Sequence, residues 1–403
     1  MGSQQLTIRR GTNLPKMGDF NESVVLDAIR RVPEGLSRVE LAEATGLSAQ
    51  TVSNICRRLL DHGLARETGK KSTGSGKPRT LLQVSPEARY ALGVHLDPAV
   101  ITYVVLDLLG RVVTHLRTPT PRVADPDETL AGISASVRRL VTESGVPRDR
   151  ILGLGIAAPG PVDMAAGLVV DPPELEGWRR VPLRDYLAAE TGLPVLLDKD
   201  VIAAAIAERW AGAATDTGNF LFFYLGTGSG MGLVVEDTVL RGVSGNAGEV
   251  GGLGAACTTR AMVDEAMQLG VLGHEFTPAG PRDAERGLVE LSRIAEAPGG
   301  GDDSAKAGDI IDRWAVRVGR GVCAAATLVD AEMIVFGGPI WPHLQERFLR
   351  IIPDMVARSP FVKKIHPTAV TSTGVGEDVG AVGAACLVLD QTLSAQPRSL
   401  LLR

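Results

Sequence analysis

Two sets of side chains in this sequence could do chemistry. The first is Gln50, Asn54 and Arg57, with Ser48, Thr51, Ser53 and Arg58 beside them. Amides, hydroxyls and guanidinium groups recurring every three or four residues share one face of a helix. Such a face can hydrogen-bond base edges and phosphates. The second set centres on carboxylates. Asp198-Lys199-Asp200 follows the apolar run 195–197 and opens a helical segment. A carboxylate there can take a proton from a hydroxyl and activate it for phosphoryl transfer. It can also do no more than cap the helix predicted over 201–211. GTGSGMG at 226–232 joins two strand-like runs, and its glycines would let backbone N–H groups approach phosphate oxygens. Turns also use glycine for steric reasons alone. GNAGEVGG at 245–252 sets Glu249 among glycines, and GGPI at 337–340 ends a buried strand, where α/β clefts bind ligands.

The polar face needs a positioned helix. Ser37 with Glu40 three residues on has capping-box spacing, Gly46 supplies a turn, and Ser48 caps a second helix over 48–60. Val52, Ile55, Cys56, Leu59 and Leu60 form its buried stripe. This is a helix-turn-helix pattern with 48–60 as the recognition helix, set against the plainer reading of a two-helix hairpin with a solvated face. A helix over 20–31 precedes it. Short strands at 64–67 and 80–84 flank TGKKSTGSGKPR, whose only charges are Lys70, Lys71, Lys77 and Arg79. A basic hairpin behind a helix-turn-helix reads as a wing that reaches the DNA backbone or minor groove.

The carboxylates need an α/β frame. Strands are expected at 91–95, 101–107 and 111–117, a helix at 126–144, a strand at 151–158, a helix from Leu183, a strand at 195–197 and a helix at 201–211. The pattern restarts with strands at 219–225, 231–236 and 238–241, helices at 260–268 and 284–295, a surface loop at 299–309, a long helix at 307–329, a strand at 333–336 and a tail helix at 380–393. Strand triplet, helix, strand, helix occurs twice, which predicts a duplicated α/β body with a cleft between two lobes. The divisions are a loose arm (1–19), a winged helix-turn-helix (20–85), a first lobe (86–212) and a second lobe with the C-terminal helix (213–403).

The composition agrees. Residues 1–80 hold 13 Lys+Arg against 8 Asp+Glu, and the remainder 29 against 39, a basic head on an acidic body. That split suits a nucleic-acid-binding module joined to one that binds small molecules or itself. No apolar run approaches the roughly 18 residues of a membrane span, no secretory signal opens the chain, and the four cysteines are scattered. These features point to a cytoplasmic protein with neither a disulfide framework nor a Cys-rich zinc site.

From Phe20 onward the chain resembles the ROK family (repressors, open reading frames and kinases), in its repressor branch. The resemblance rests on the head LSRVELAEATGLSAQTVSNICRRLLDHGL and on GIAAPGPVD, EGWRRVPLRDYL, AAAIAE, LGTGSGMGLV, GNAGEVG and IVFGGPI, in that order. It implies an actin-like, two-lobed, ribonuclease H-like sugar-kinase body behind a winged helix-turn-helix. It also implies a homodimer or tetramer on a near-palindromic double-stranded operator, with DNA binding that answers to a sugar. Asp200 matches the kinase base, and Glu174, Lys199, Asp200, Gly245, Asn246 and Glu249 match the sugar pocket. The departures matter equally. Kinases of the family open the body with a strand, an Asp and two glycines that hold ATP phosphates. Here HLDPAVI (95–101) puts Asp97 and Pro98 where small residues are expected, and Pro lacks an N–H. The resemblance therefore implies a regulator without catalytic residues, with an active sugar kinase and a ligand-independent DNA binder as the rival readings. The zinc positions read Gly252, Ala255, Cys257 and Met262, and one soft ligand cannot hold tetrahedral zinc, so no metal or other cofactor is expected. Lys199 and Glu174 replace two neutral amides. Lys199 should pair with Glu174, Asp200 or Glu249, because an unpaired buried charge is costly, which suggests an unusual, anionic effector or none. The competing arrangement has Lys199 in solvent and a neutral sugar in the pocket.

Overall fold

The computed structural model describes residues 14–71, 78–121, 125–254, 256–359 and 366–394. It divides into two compact units. One runs to Tyr90 and takes in Asp107–Leu109 and the chain from Leu389; the other comprises Ala91–Leu106 and Gly110–Val388.

The first unit is the head. Its elements are α1 (Leu14–Arg31), β1 (Leu36–Ser37), α2 (Arg38–Thr45), α3 (Ala49–Asp61), β2 (Ala65–Lys71) and β3 (Arg79–Val84). Helix α1 begins six residues before the predicted division at 19/20, so 14–19 belong to a helix rather than to an arm. Pro15 lies in its first turn, where a missing N–H costs nothing. Ser37 and Glu40 close the capping box on α2, and Gly46 ends it in the left-handed conformation at φ 69°. Strands β2 and β3 pair antiparallel, with β1 on the other side of β3. β2 runs on past the predicted end at 67, bulging between Thr68 and Lys70. Leu41, Val52, Ile55, Cys56, Leu59 and Leu82 fill the core among the three helices and the wing sheet.

The second unit holds two five-stranded sheets built to one plan. The first uses β4 (Tyr90–Leu96), β5 (Val100–Asp107) and β6 (Val112–Pro119), then α4 (Pro126–Ser144), β7 (Ile151–Ala158), the small hairpin β8 (Val162–Asp163) and β9 (Leu168–Val169), α5 (Leu183–Thr191), β10 (Val195–Lys199) and α6 (Asp200–Ala211). The second uses β11 (Phe220–Leu225), β12 (Ser229–Val235), β13 (Thr238–Val239), α7 (Thr259–Gln268), α8 (Pro281–Ala295), α9 (Gly301–Val329), β14 (Met333–Gly337), α10 (Gln345–Arg358) and β15 (Ala369–Ser372). The strand orders are β6-β5-β4-β7-β10 and β13-β12-β11-β14-β15. In each, a meander supplies three strands and crossover helices deliver two parallel ones, which is the predicted repeat made concrete.

Of the predicted surface loop at 299–309, residues 299–300 lie outside any helix, but 301–309 are the first turns of α9, which opens at Gly301 with Asp302 and Asp303 in its first turn, at the positive end of the helix dipole. The run of glycines concealed this start. Helix α9 packs its buried face, including Ile310, Trp314, Val318 and Val322, into the core over β11 and β14. The last helix, α11 (Val379–Leu393), follows the second sheet in sequence but packs on the first. A Cβ on Gly93 of β4 would lie 2.1 Å from the Ala381 carbonyl oxygen, and one on Gly155 of β7 would lie 1.7 Å from that of Ala384. Gly383 in turn meets the backbone of Ala203 in α6. At these three glycines no side chain larger than hydrogen fits.

Candidate nucleic-acid interface and effector cleft

Helix α3 presents the polar face that its sequence predicts. Ser48 caps it at φ −63° and ψ 149°, accepting from the Thr51 amide, and the two hydroxyls lie 2.9 Å apart. Val52, Ile55, Cys56 and Leu59 are buried, so Gln50, Asn54, Arg57 and Arg58 are turned outward; Ser53 is half-exposed beside them. Gln50 donates an amide hydrogen to Asn54 Oδ1 at 3.2 Å, which prearranges two amides one turn apart. Arg58 is turned toward α1, where its Nε meets Glu22 at 2.7 Å. Arg57 stays exposed, its guanidinium facing solvent. In the wing, Lys71 reaches back to Glu40 at 2.9 Å, while Lys70 and Arg79 are exposed on β2 and β3. Lys77 lies outside the described residues. The Ser37 amide, with Lys71, holds the Glu40 carboxyl down at about 2.

The second site is a cavity of about 230 Å³ between the two sheets of the body. Its walls include Asp97, Glu174, Lys199, Asp200, Glu249 and Arg260. Strand β10 and helix α6 deliver Lys199 and Asp200 at their junction. The Lys199 stem passes Gly160, where a Cβ would come within 2.9 Å of it. Its ammonium, on a side chain 5% exposed, donates to Glu249 Oε1. Of the three partners expected, the structure pairs Lys199 with Glu249. Glu174 takes Arg260 instead, at 3.8 Å. Asp200 accepts from the Val201 amide at 2.7 Å, and its carboxyl is pushed up to about 7 by burial, against the pull of Lys199. Asp198, 2% exposed, faces away to Arg241 at 2.9 Å, and burial raises its carboxyl too.

Gly245 and Asn246 stand differently. Gly245 lies against Met164 at φ 83°. The Asn246 amide pairs with both the N–H and the carbonyl of Val162 at 2.8 Å. Its hydrogen-bonding capacity fastens the β8–β9 hairpin to the loop before Glu249 rather than lining the cavity.

The Gly-rich turn at 226–232 divides by cause. Gly230 and Gly232 lie beneath α6, where a Cβ would press on Val201 and Ala205. Gly228 faces open space. Across from it, Asp97 is 5% exposed and accepts from the Ala99 amide at 2.7 Å and the Thr227 hydroxyl at 3.2 Å. Burial raises its carboxyl from the usual range. Behind Asp97 lies a further cavity of about 410 Å³, walled by His95, Arg117, Arg282 and Glu285 among others. His95 is held neutral there by burial, down at about 4, with its Nε2 3.5 Å from the Tyr224 hydroxyl.

At the zinc positions, a Cβ on Gly252 would meet no atom within 4 Å, and Cys257 and Met262 are buried; Ala255 lies outside the described residues. Burial pushes the Cys257 thiol up to about 12. No group of three or more His, Cys, Asp or Glu side chains among the described residues could hold a metal ion. Nor is any helix among them long and apolar enough to cross a membrane.

Sequence reasoning did not find Glu208 of α6. It is fully buried, and its carboxylate accepts from the Ala213 amide at 2.7 Å, the Gly374 amide at 3.1 Å and the Thr373 hydroxyl. It ties the end of α6 to the loop after β15. A carboxylate in the all-apolar run around AAAIAE was the available signal.

Residues 92–391 match the model of the ROK family, and 19–71 match that of the MarR family. A xylose repressor of Caldicellulosiruptor bescii is 24% identical over 381 residues, covering 89% of this chain and 93% of the repressor. A glucokinase of Halalkalibacterium halodurans is 26% identical, covering 76% of this chain and 97% of the kinase. Among solved structures, a ROK family transcriptional regulator described as a homologue of the E. coli MLC protein superposes with a TM-score of 0.70 at 20% identity, over 94% of this chain and 97% of its own. That likeness is one of fold.

Proposed function

The chain belongs to the ROK family, and from that premise we propose that it is a DNA-binding transcriptional regulator, a repressor of carbohydrate-related genes, whose kinase-like body senses a small ligand instead of phosphorylating it. The observation that carries this reading is the capped helix α3, with its amides and Arg57 turned outward, joined in one chain to a cavity of about 230 Å³. The alignment with the xylose repressor supports it, because it runs through the head as well as the body.

Gln50, Thr51, Asn54 and Arg57 read the major groove from α3, with Ser48 and Ser53 at its edge. Lys70, Lys71, Lys77 and Arg79 of the wing, together with Arg58, contact phosphates. Amides suit adenine and a guanidinium suits guanine. A symmetric dimer or tetramer binds a near-palindromic operator, in the cytoplasm where the operator is.

Glu174, Lys199, Asp200 and Glu249 hold the ligand. Roughly 300–1,000 Å³ is usual for sites that take drug-sized ligands; this cavity is smaller and suits a monosaccharide. Both cations on its wall already face carboxylates, and four wall carboxyls outnumber them. That charge pattern opposes the anionic effector expected from Lys199 and favours an uncharged, hydroxyl-rich one. The ligand controls DNA by binding one arrangement of the lobes better than another. Kinase chemistry does not fit: Pro98 offers no N–H at the turn where a phosphate would sit. Selection of bound DNA from a random pool, repeated with neutral sugars and sugar phosphates, tests the whole reading. A single enriched palindrome released by a neutral sugar is the expected result. Pool-wide binding without enrichment, or ATP-dependent phosphorylation of a sugar, would refute it.

A further inference from the structure

Asp97 is an anomaly of charge. It is 5% exposed, yet what chiefly offsets burial at its carboxyl is hydrogen-bond donors rather than a basic side chain. What surrounds it is a ring of dipoles. The Ala99 amide donates at 2.7 Å and the Thr227 hydroxyl at 3.2 and 3.5 Å to its two oxygens. The backbone amides of Val100 and Thr227 also favour its ionised form. One hydrogen-bond donor thus comes from the β4–β5 turn of one sheet and one from the Gly-rich β11–β12 turn of the other, each with a backbone amide beside it that favours the anion.

Convergent backbone N–H groups and a hydroxyl are the donor set of an anion nest. Pro98 removes one donor from the first turn, but the Ala99 amide still donates and the Val100 amide still favours the charge. The geometry of the second turn is open on its far side, since nothing lies within 4 Å of a Cβ built on Gly228. Asp97 also forms part of the wall of both cavities, the one of about 230 Å³ and the one of about 410 Å³. In the larger, Arg282 spends its donors on the carbonyls of Ala99 and Thr120 and brings a positive charge.

We infer that the Asp97 carboxylate is a built-in anion seated in a phosphate-type cradle made by the two turns, and that a small oxyanion takes the cradle when this carboxylate is removed. The chain bridges its two sheets with its own side chain where a kinase would use a nucleotide's phosphate. The cleft then has one exchangeable occupant, the effector. This rests on the reading of the body as a non-kinase, which ATP turnover by the wild type would refute separately.

The probe is inorganic phosphate, added to the full-length chain against sodium chloride of equal ionic strength. The wild type should show no phosphate-specific change in unfolding midpoint. Asp97→Ala should gain a saturable rise of ~2–4 °C, with broadening of the phosphorus resonance of the added phosphate. The double variant Asp97→Ala with Thr227→Val should lose most of that gain. An Asp97→Ala chain that folds only when phosphate is present supports the inference. One that remains unfolded in phosphate, or folds and ignores it, overturns it. A wild type as sensitive to phosphate as the variant overturns it as well.

Discussion

Lys199 and Glu249 form a pair that was half legible from single residues. That a lysine replacing an amide at the end of β10 would need a carboxylate could be read in the sequence; which of three carboxylates it takes could not, because Glu249 lies fifty positions away on a loop. Glu249→Gln strands a buried ammonium, so stability should fall by about 1–3 kcal/mol. Lys199→Met with Glu249→Gln should recover most of the loss, as read by urea unfolding of both variants. Asp200 carries a pH dependence. Its carboxyl sits at about 7 in the folded chain against 3.8 ordinarily, so the folded state holds a proton that the unfolded state releases. Its contribution to stability is therefore full below 3.8 and is lost as pH rises to about 7. A ligand hydroxyl donating to Asp200 favours the ionised form, so effector affinity should strengthen as pH rises through about 7 and then level off. Calorimetry at several pH values, in buffers of different ionisation enthalpy, should show protons released on binding below that pH. Proton uptake would contradict this role for Asp200.

At the scale of elements, the head was the most legible part. Capping boxes, helix stripes and left-handed Gly caps are all set within a few residues, and Ser37, Glu40, Gly46 and Ser48 each do what their spacing predicts. Helix α3 separates into two faces that mutations should distinguish. Asn54→Ala or Arg57→Ala should cost ~1–3 kcal/mol of operator affinity and leave the unfolding midpoint unchanged. Leu59→Ala should destabilise the head by about 2–5 kcal/mol, and its DNA binding should fail only where the head has unfolded. Gel retardation beside thermal melts separates the two. The start of α9 was illegible because glycines at 299–301 read as loop, whereas the acidic first turn and the Lys306–Asp302 pair sustain a helix. The glycines of 226–232 were open to two readings, a phosphate loop or steric turns, and Gly230 and Gly232 serve the close approach of α6.

For the whole body, the double plan of the sheets was visible as a repeated element order, but the ties between its halves were not. Asn246 to Val162, Arg241 to Asp198 and Glu208 to the 373–374 loop join residues distant in sequence, and no local pattern announces them. The tie through Glu208 can be measured directly. Glu208→Ala leaves the Ala213 and Gly374 amides without their acceptor and should destabilise the body by at least ~2 kcal/mol, with faster amide exchange concentrated at 213 and 374. Exchange unchanged at both positions would mean that the tie is dispensable. The seam between α11 and the first sheet has a consequence for biosynthesis. Gly93 and Gly155 emerge from the ribosome early, and the helix that covers them emerges only after the rest of the body has been made. Until then the first sheet lacks one of its layers, so the body's final cooperative closure waits for α11, while the elements α1 to β3 of the head are complete in sequence far earlier.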